Sequence, residues 1–274
     1  MISEKIRLLG AGVYSDIPDE LTLKSIPTTS ELDYVGSEDF NSTMLEKIFP
    51  KAIEEKINFN NLFEIDYHWI CRCLRFLNYG PYHNVNAIFC SDCGQTSKGD
   101  YVVDLRTIDC KPLPEGFVND VVIKKDEFID YGKDIHVSLL TIKDVLNAYD
   151  DKMFVSESGH INRNLARICY MMKSSGGKSL NPVTAKMIIE NELSPADYII
   201  LKDRVNELTD FGLRAAGKVK CPVCGSTEAV YIALVDDRFF RPTLGALKQW
   251  RDDRSSRRDE DISGSAAEAV RKHN

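Results

Sequence analysis

Two short runs constrain this chain more than anything else in it: Cys90-Ser91-Asp92-Cys93-Gly94 and Cys221-Pro222-Val223-Cys224-Gly225. Both lie between strand-like residues. Val85 to Phe89 leads into the first and Tyr101 to Leu105 follows it; Gly217 to Lys220 leads into the second and Ala229 to Val235 follows. Two intervening residues let both thiols of a pair face one point, and the glycine supplies the left-handed turn that returns the chain to the outgoing strand. A tetrahedral Zn2+ takes four thiolates at about 2.3 Å. One such pair is a weak signal, but two with the same flanks imply a shared ion. Cys90, Cys93, Cys221 and Cys224 are therefore the expected ligands of one structural Zn2+ per chain. Cys110, outside both turns, is the alternative ligand. His68 and His83 read as polar surface or loop residues, with packing near the metal as the other option.

The separation of the pairs is far greater than the roughly 15–20 residues usual in such sites. The simplest account is a zinc ribbon whose halves are parted by an inserted helical unit. The fold class expected is α+β: two Cys-x-x-Cys β-hairpins sharing one zinc, an inserted helical unit and an N-terminal arm. Removing either cysteine pair is then expected to disorder the middle of the chain, because metal binding supplies folding energy.

Other uses of the cysteines fit less well. The N-terminus lacks the basic start and apolar core of a signal peptide, and no apolar run approaches the roughly 20 residues that span a bilayer. The expectation is a cytoplasmic protein with no membrane partner, whose 8 cysteines are thiols or metal ligands. A redox pair would place its first cysteine at a helix N-terminus, whereas here a glycine and a strand follow each pair. A four-thiolate site leaves no open position for water, and His-Glu-x-x-His and the deaminase pattern are both lacking from the sequence. Gly177-Lys178-Ser179 has the ending of a P-loop, but Met172 stands where the first glycine belongs, so Ser174 to Ser179 reads as a flexible loop. The chain is expected not to be an enzyme. A net charge of −7 argues against a protein whose main work is neutralising phosphates. A nucleic-acid-binding zinc ribbon is the alternative reading, weakened because Ser91, Asp92, Pro222 and Val223 form the turn tips.

Five segments follow. Residues 1–58 form an arm with β-like runs at Ile6 to Leu9 and Leu21 to Ile26, then a helix over Ser42 to Ile57 that Pro50 breaks or kinks. Residues 59–140 carry a helix from about Asn61 to Tyr79, the first cysteine hairpin, and strands at Val121 to Lys124 and Ile135 to Leu140. Asp66 near the helix start and Arg72 and Arg75 towards its end suit the helix dipole, while Cys71 and Cys73 read as buried small hydrophobes. Residues 141–212 are the helical insert, with caps at Thr141 and at Ser194-Pro195. Residues 213–245 complete the ribbon, and 246–274 form a charged tail, mobile or helical only against a partner.

The order of features is also similar to a known family. A helix ending Cys73-Leu74-Arg75-Phe76-Leu77-Asn78-Tyr79-Gly80, a cysteine turn, then Val103-Asp104-Leu105 resembles the baseplate proteins of T-even-type tailed bacteriophages, as does the second turn followed by Asp237-Arg238-Phe239-Phe240-Arg241-Pro242. The resemblance covers residues 60–245. That family includes a hub component and a hub assembly factor. The resemblance implies a structural or assembly protein of a contractile-tail baseplate, binding other baseplate and tail hub proteins, located in the bacterial host cytoplasm during assembly or in the virion tail. Phe239, Phe240 and Arg241 are candidate partner-binding residues. On a strand one phenylalanine would face outward and anchor a partner; a turn would let both pack inward.

Overall fold

The computed structural model describes residues 2–253 except 28, 31, 32, 34–36, 38, 157, 158, 235, 236 and 241. The chain is mixed α+β, built from small antiparallel sheets packed around helices. It opens with a hairpin of β1 (Ser3–Arg7) and β2 (Glu20–Lys24). Leu21 and Leu23 on β2 are fully buried, so the arm belongs to the body's core.

The next helical stretch runs from Phe40 to Ala52, with a π segment at Met44–Ile48 between two α turns. Pro50 explains the wide turn. It has no N–H to donate and its ring crowds the carbonyl four residues back, and a π segment moves that carbonyl aside. The helix stops at Ala52 and Ile53 is extended, bridging to Leu23. The expected extension to Ile57 does not form.

Helix α2 (Glu64–Tyr79; α1 being the Phe40–Ala52 stretch) is the axis of the molecule. Ile70, Cys71 and Leu74 on it are fully buried, and Cys73 nearly so, as small apolar residues at helical spacing should be. Gly80 ends it with φ 73°. A Cβ there would lie 2.4 Å from the Trp250 ring, so a glycine is required twice over. The contact also places the chain's last described segment. Residues 244–253 are helical, Ala246 is buried, and Asp253 accepts a hydrogen bond from the Tyr82 hydroxyl. That part of the expected free tail is docked on the body; residues 254–274 lie outside the described residues.

A four-stranded antiparallel sheet follows, in the order β6 (Val121–Ile123), β7 (Ile135–Val137), β8 (Met172–Ser175), β9 (Lys178–Ser179). The segment expected to be a flexible loop is thus a hairpin. Gly176 and Gly177, at φ 54° and 77°, make the two-residue turn whose twist matches the flanking strands. The sheet also spans the expected boundary between residues 140 and 141, so residues 141–212 share a core with the strands before them.

Helices α3 (Ile142–Asp150), α4 (Arg163–Met171), α5 (Pro182–Asn191) and α6 (Pro195–Thr209) pack beside this sheet. Their starts follow from their caps. Thr141 and Asp144 form a reciprocal box, Asn162 accepts from Leu165, and Ser194 accepts from Asp197 ahead of Pro195. Strand β10 (Gly212–Leu213) then returns to pair with β5 (Cys110–Lys111). One continuous hydrophobic core joins all these parts.

Candidate metal centre

The first cysteine turn joins β3 (Tyr82–Phe89) to β4 (Thr96–Asp104), and the second joins β11 (Ala216–Lys220) to β12 (Thr227–Tyr231). The two turns have the same backbone hydrogen bonds. Cys90 N–H donates to the Gln95 carbonyl at 2.9 Å and Gly94 N–H to the Cys90 carbonyl at 2.9 Å; Cys221 N–H donates to Ser226 at 2.7 Å and Gly225 N–H to Cys221 at 2.9 Å. Gly94 and Gly225 both take the left-handed conformation, at φ 68° and 78°. Sequence repetition has become geometric repetition.

The hairpins lie against each other because β11 approaches β4 closely. A Cβ on Gly217 would sit 2.2 Å from Cγ1 of Val103, so any larger residue would push the second hairpin away. Ile88, Val103, Val219 and Ile232 supply the buried apolar contact. With the hairpins so placed, the sulfurs of Cys90, Cys93, Cys221 and Cys224 all lie within 4.8 Å of one another. Cys90 Sγ is 3.5 Å from Cys224 Sγ, and Cys93 Sγ is 3.8 Å from Cys221 Sγ. A disulfide needs about 2.05 Å, so these pairs are unbonded thiols. A tetrahedron with metal–sulfur bonds near 2.3 Å has sulfur–sulfur edges of about 3.8 Å. The cluster therefore fits a metal ion held by four soft donors.

The surroundings treat the sulfurs unequally. Cys224, the exposed member, is pulled down to about 6 by the Ser226 hydroxyl, the Ser226 N–H and Cys90. Cys90 is pushed up to about 12. The Ser226 hydroxyl and the Cys93 N–H favour its thiolate, but the Glu228 carboxylate, burial and the Cys93 sulfur outweigh them. Cys93 is raised despite N–H donation from Gln95. Glu228 itself is held below the ordinary carboxylate value by Cys90 and by the hydroxyls of Ser91 and Ser226.

The remaining candidates fall elsewhere. Cys110 is on β5, paired with Leu213, and outside the cluster. His83 sits on β3 with its ring 5.9 Å from that of Phe239. His68 lines a cavity of about 280 Å³ beside α2 together with Glu64 and Arg167. Burial, opposed in part by Glu64, lowers the His68 pKa. Arg167 and Glu64 close on each other through two bonds of 2.7 and 2.6 Å, so the cavity's charges are mutually neutralised. Gly177-Lys178-Ser179 lies in the β8–β9 hairpin, with Lys178 and Ser179 on a strand rather than in the first turn of a helix.

The aromatic pair needs correcting as well. Asp237–Phe240 is a 3-10 turn rather than a strand, and both rings pack inward, Phe239 and Phe240 being 0% and 1% exposed. They meet edge to face at 5.4 Å, and Phe240 also meets Phe40 at 5.8 Å. Neither ring is presented to a partner. Arg241 lies outside the described residues.

Three charged residues assigned only to the helix dipole, or given no role, prove to be internal joints. Arg75, fully buried, donates to the carbonyls of Phe239, Gly80 and Tyr82 at 2.7, 2.6 and 2.7 Å. Asp66, also fully buried, accepts from Leu9 N–H at 2.6 Å, from Gly10 N–H, and from the Tyr14 hydroxyl at 2.6 Å. Asp197 accepts from the N–H groups of Ile129, Asp130 and Tyr131. Their type alone offers no signal, since most of the partners are backbone atoms and those that join segments lie far off in sequence.

Comparison with protein-family models, with curated proteins and with solved structures finds no match to this chain. Among the described residues, no helix is long and apolar enough to cross a membrane.

Proposed function

We propose that Cys90, Cys93, Cys221 and Cys224 hold one structural Zn2+ in a zinc ribbon, and that the chain is a binding and assembly protein without chemistry of its own. The observation that carries this reading is the convergence of four thiols from two distant, matching turns. Four thiolates saturate a tetrahedral ion, so the ion acts as a cross-link between hairpins. Zinc is favoured over harder cations because all four donors are sulfur.

The destination proposed is the baseplate hub of a contractile phage tail, as hub component or as assembly factor, with other hub proteins as partners. Its support is the likeness of the motifs around α2, β4 and Asp237–Phe240 to that family. The acidic net charge and the absence of basic residues from the turn tips favour protein over nucleic acid as the ligand.

Two measurements test these readings separately. Elemental analysis of protein purified without added metal should give one zinc per chain, absent from Cys90→Ser; a fully folded, metal-free wild type sinks the metal assignment. Mass spectrometry of purified tails and of hub subassemblies should find the chain in one of them, and its absence from both rejects the baseplate assignment. Tight, strongly salt-dependent DNA binding would instead restore the nucleic-acid reading.

A further inference from the structure

Glu228 occupies a position where strand logic calls for an apolar residue. It lies on β12 opposite Val219, and its side chain faces inward, only 9% exposed. Glutamate is disfavoured in strands, and burying a carboxylate costs free energy unless donors surround it. Here donors do surround it. Oε1 is 3.0 Å from Cys90 Sγ and 3.2 Å from Ser226 Oγ, and Oε2 is 3.1 Å from Ser91 Oγ. Ser226 Oγ in turn lies 3.1 Å from both Cys90 Sγ and Cys224 Sγ.

These partners come from both hairpins. Ser91 and Cys90 belong to the first turn, Ser226 and Cys224 to the second, and Glu228 joins them. Its oxygens are not part of the four-sulfur cluster. We propose that Glu228 is a positioning residue that braces the two cysteine turns against each other, so that the four sulfurs stand at ligand spacing before an ion arrives. This rests on reading the cluster as a metal site, but the brace acts in the metal-free protein and can be tested there. Without it the turns would keep the Ser226–Cys90 contact and the small apolar seam of Ile88, Val103, Val219 and Ile232. Residues around metal ligands commonly orient them in this way; the particular feature here is that one carboxylate spans two distant segments.

The test uses the full chain, stripped of metal under reducing conditions, and follows the reaction of its thiols with an aromatic disulfide reagent. Ser91→Ala is the cleanest variant. Ser91 is exposed, and its loss removes one of the bonds that cross between turns without emptying any core. The expected result is that Ser91→Ala and Glu228→Ala speed the reaction of the four clustered thiols by roughly tenfold, the worth of one charge-assisted hydrogen bond. Glu228→Gln keeps a carbonyl oxygen for the Ser91 hydroxyl and should stay within about threefold of wild type on the same scale. With Zn2+ bound the variants should react alike, since the ion then holds the turns, and the buried Cys71 and Cys169 should be unaffected throughout. General destabilisation would speed the buried thiols too. Unchanged rates in Ser91→Ala and in Glu228→Ala overturn the brace; should Glu228→Ala fail to fold, Ser91→Ala decides alone. If the wild type proves to bind no metal, the reading of the site fails, while the rates of the metal-free variants still judge the brace.

Discussion

The cysteine hairpins and the body around α2 solve the same problem with different materials. Each must hold together segments far apart in the chain. In the body the joints are buried charges whose partners are mostly backbone groups: Arg75 gathers three carbonyls and Asp66 gathers two N–H groups and the Tyr14 hydroxyl. Everything needed for closure is in the chain. At the hairpins the apolar seam is small, and on the proposed reading closure is shared with an ion that must come from solution. The body should therefore be indifferent to metal, and the hairpins should not be.

Metal removal should separate the two most strongly. A structural zinc contributes on the order of 10 kcal/mol in small zinc-binding peptides, and on the proposed reading that contribution would fall on β11, β12 and the outer ends of β3 and β4. Chelation, or Cys90→Ser, should abolish hydrogen-exchange protection in residues 216–231 and leave that of α4 and α6 intact. This revises the expectation that the middle of the chain would disorder. Ala166, Cys169 and Leu201 are fully buried in a core the hairpins do not supply. Loss of protection in α4 on chelation would show that the two regions fold as one.

Next in size is the body's own joint. Arg75→Met is close to the native volume but leaves three carbonyls without their donor, and removing one partner from a buried polar network costs about 3–5 kcal/mol. Chemical denaturation should show this loss equally with and without zinc. A loss that vanished on chelation would mean that Arg75 serves the hairpins instead.

How much of this was legible beforehand divides along the same line. The cysteine turns announce themselves because residue type, spacing and glycine all state one geometry. The helix starts at Thr141, Asn162 and Ser194 are equally local, since a cap and its N–H donor lie within three residues. The joints of the body were not legible, because a carbonyl or N–H looks the same at every position. Asp66 and Arg75 could only be read as helix-end charges until the chain brought Leu9 and Phe239 to them. The hairpin at Gly176-Gly177 was missed for a different reason: β9 is two residues long, too short for alternation to register. For Phe239 and Phe240 the sequence left a choice between a strand with one ring outward and a turn with both inward, and local pattern could not decide for the 3-10 turn that forms.

Asp66 gives a pH handle on the body. Burial pushes its carboxyl up to about 6, although the Tyr14 hydroxyl and the N–H groups of Leu9 and Gly10 pull the other way. A folded pKa above the unfolded one means that the native state binds the proton more tightly. Stability from this group is thus fully present below the unfolded value near 4 and falls as pH rises to about 6, by as much as about 3 kcal/mol. In Asp66→Asn that slope should disappear from denaturation curves recorded between pH 4 and 7. A wild-type curve flat over this range would place the Asp66 pKa at its ordinary value.

Asp197 should show the opposite sign and the smallest effect, which makes it the control for Asp66. It too has its side chain closed off and a fan of backbone N–H groups at its oxygens. Here the donors of Ile129, Asp130, Tyr131 and Ser194 outweigh burial, and the carboxyl lies below its ordinary value. The native state then binds the proton less tightly than the unfolded chain. Stability from Asp197 is present above the unfolded pKa and is lost as pH falls through the folded one. Asp197→Asn should leave stability between pH 5 and 7 with no change in slope and soften the decline below pH 4. The difference between the two aspartates comes from their donors, since both are fully buried. Asp66 accepts from two N–H groups and the Tyr14 hydroxyl, Asp197 from three N–H groups and the Ser194 hydroxyl. If both variants altered the curve between pH 4 and 6 in the same direction, the additional donor would not be what separates them.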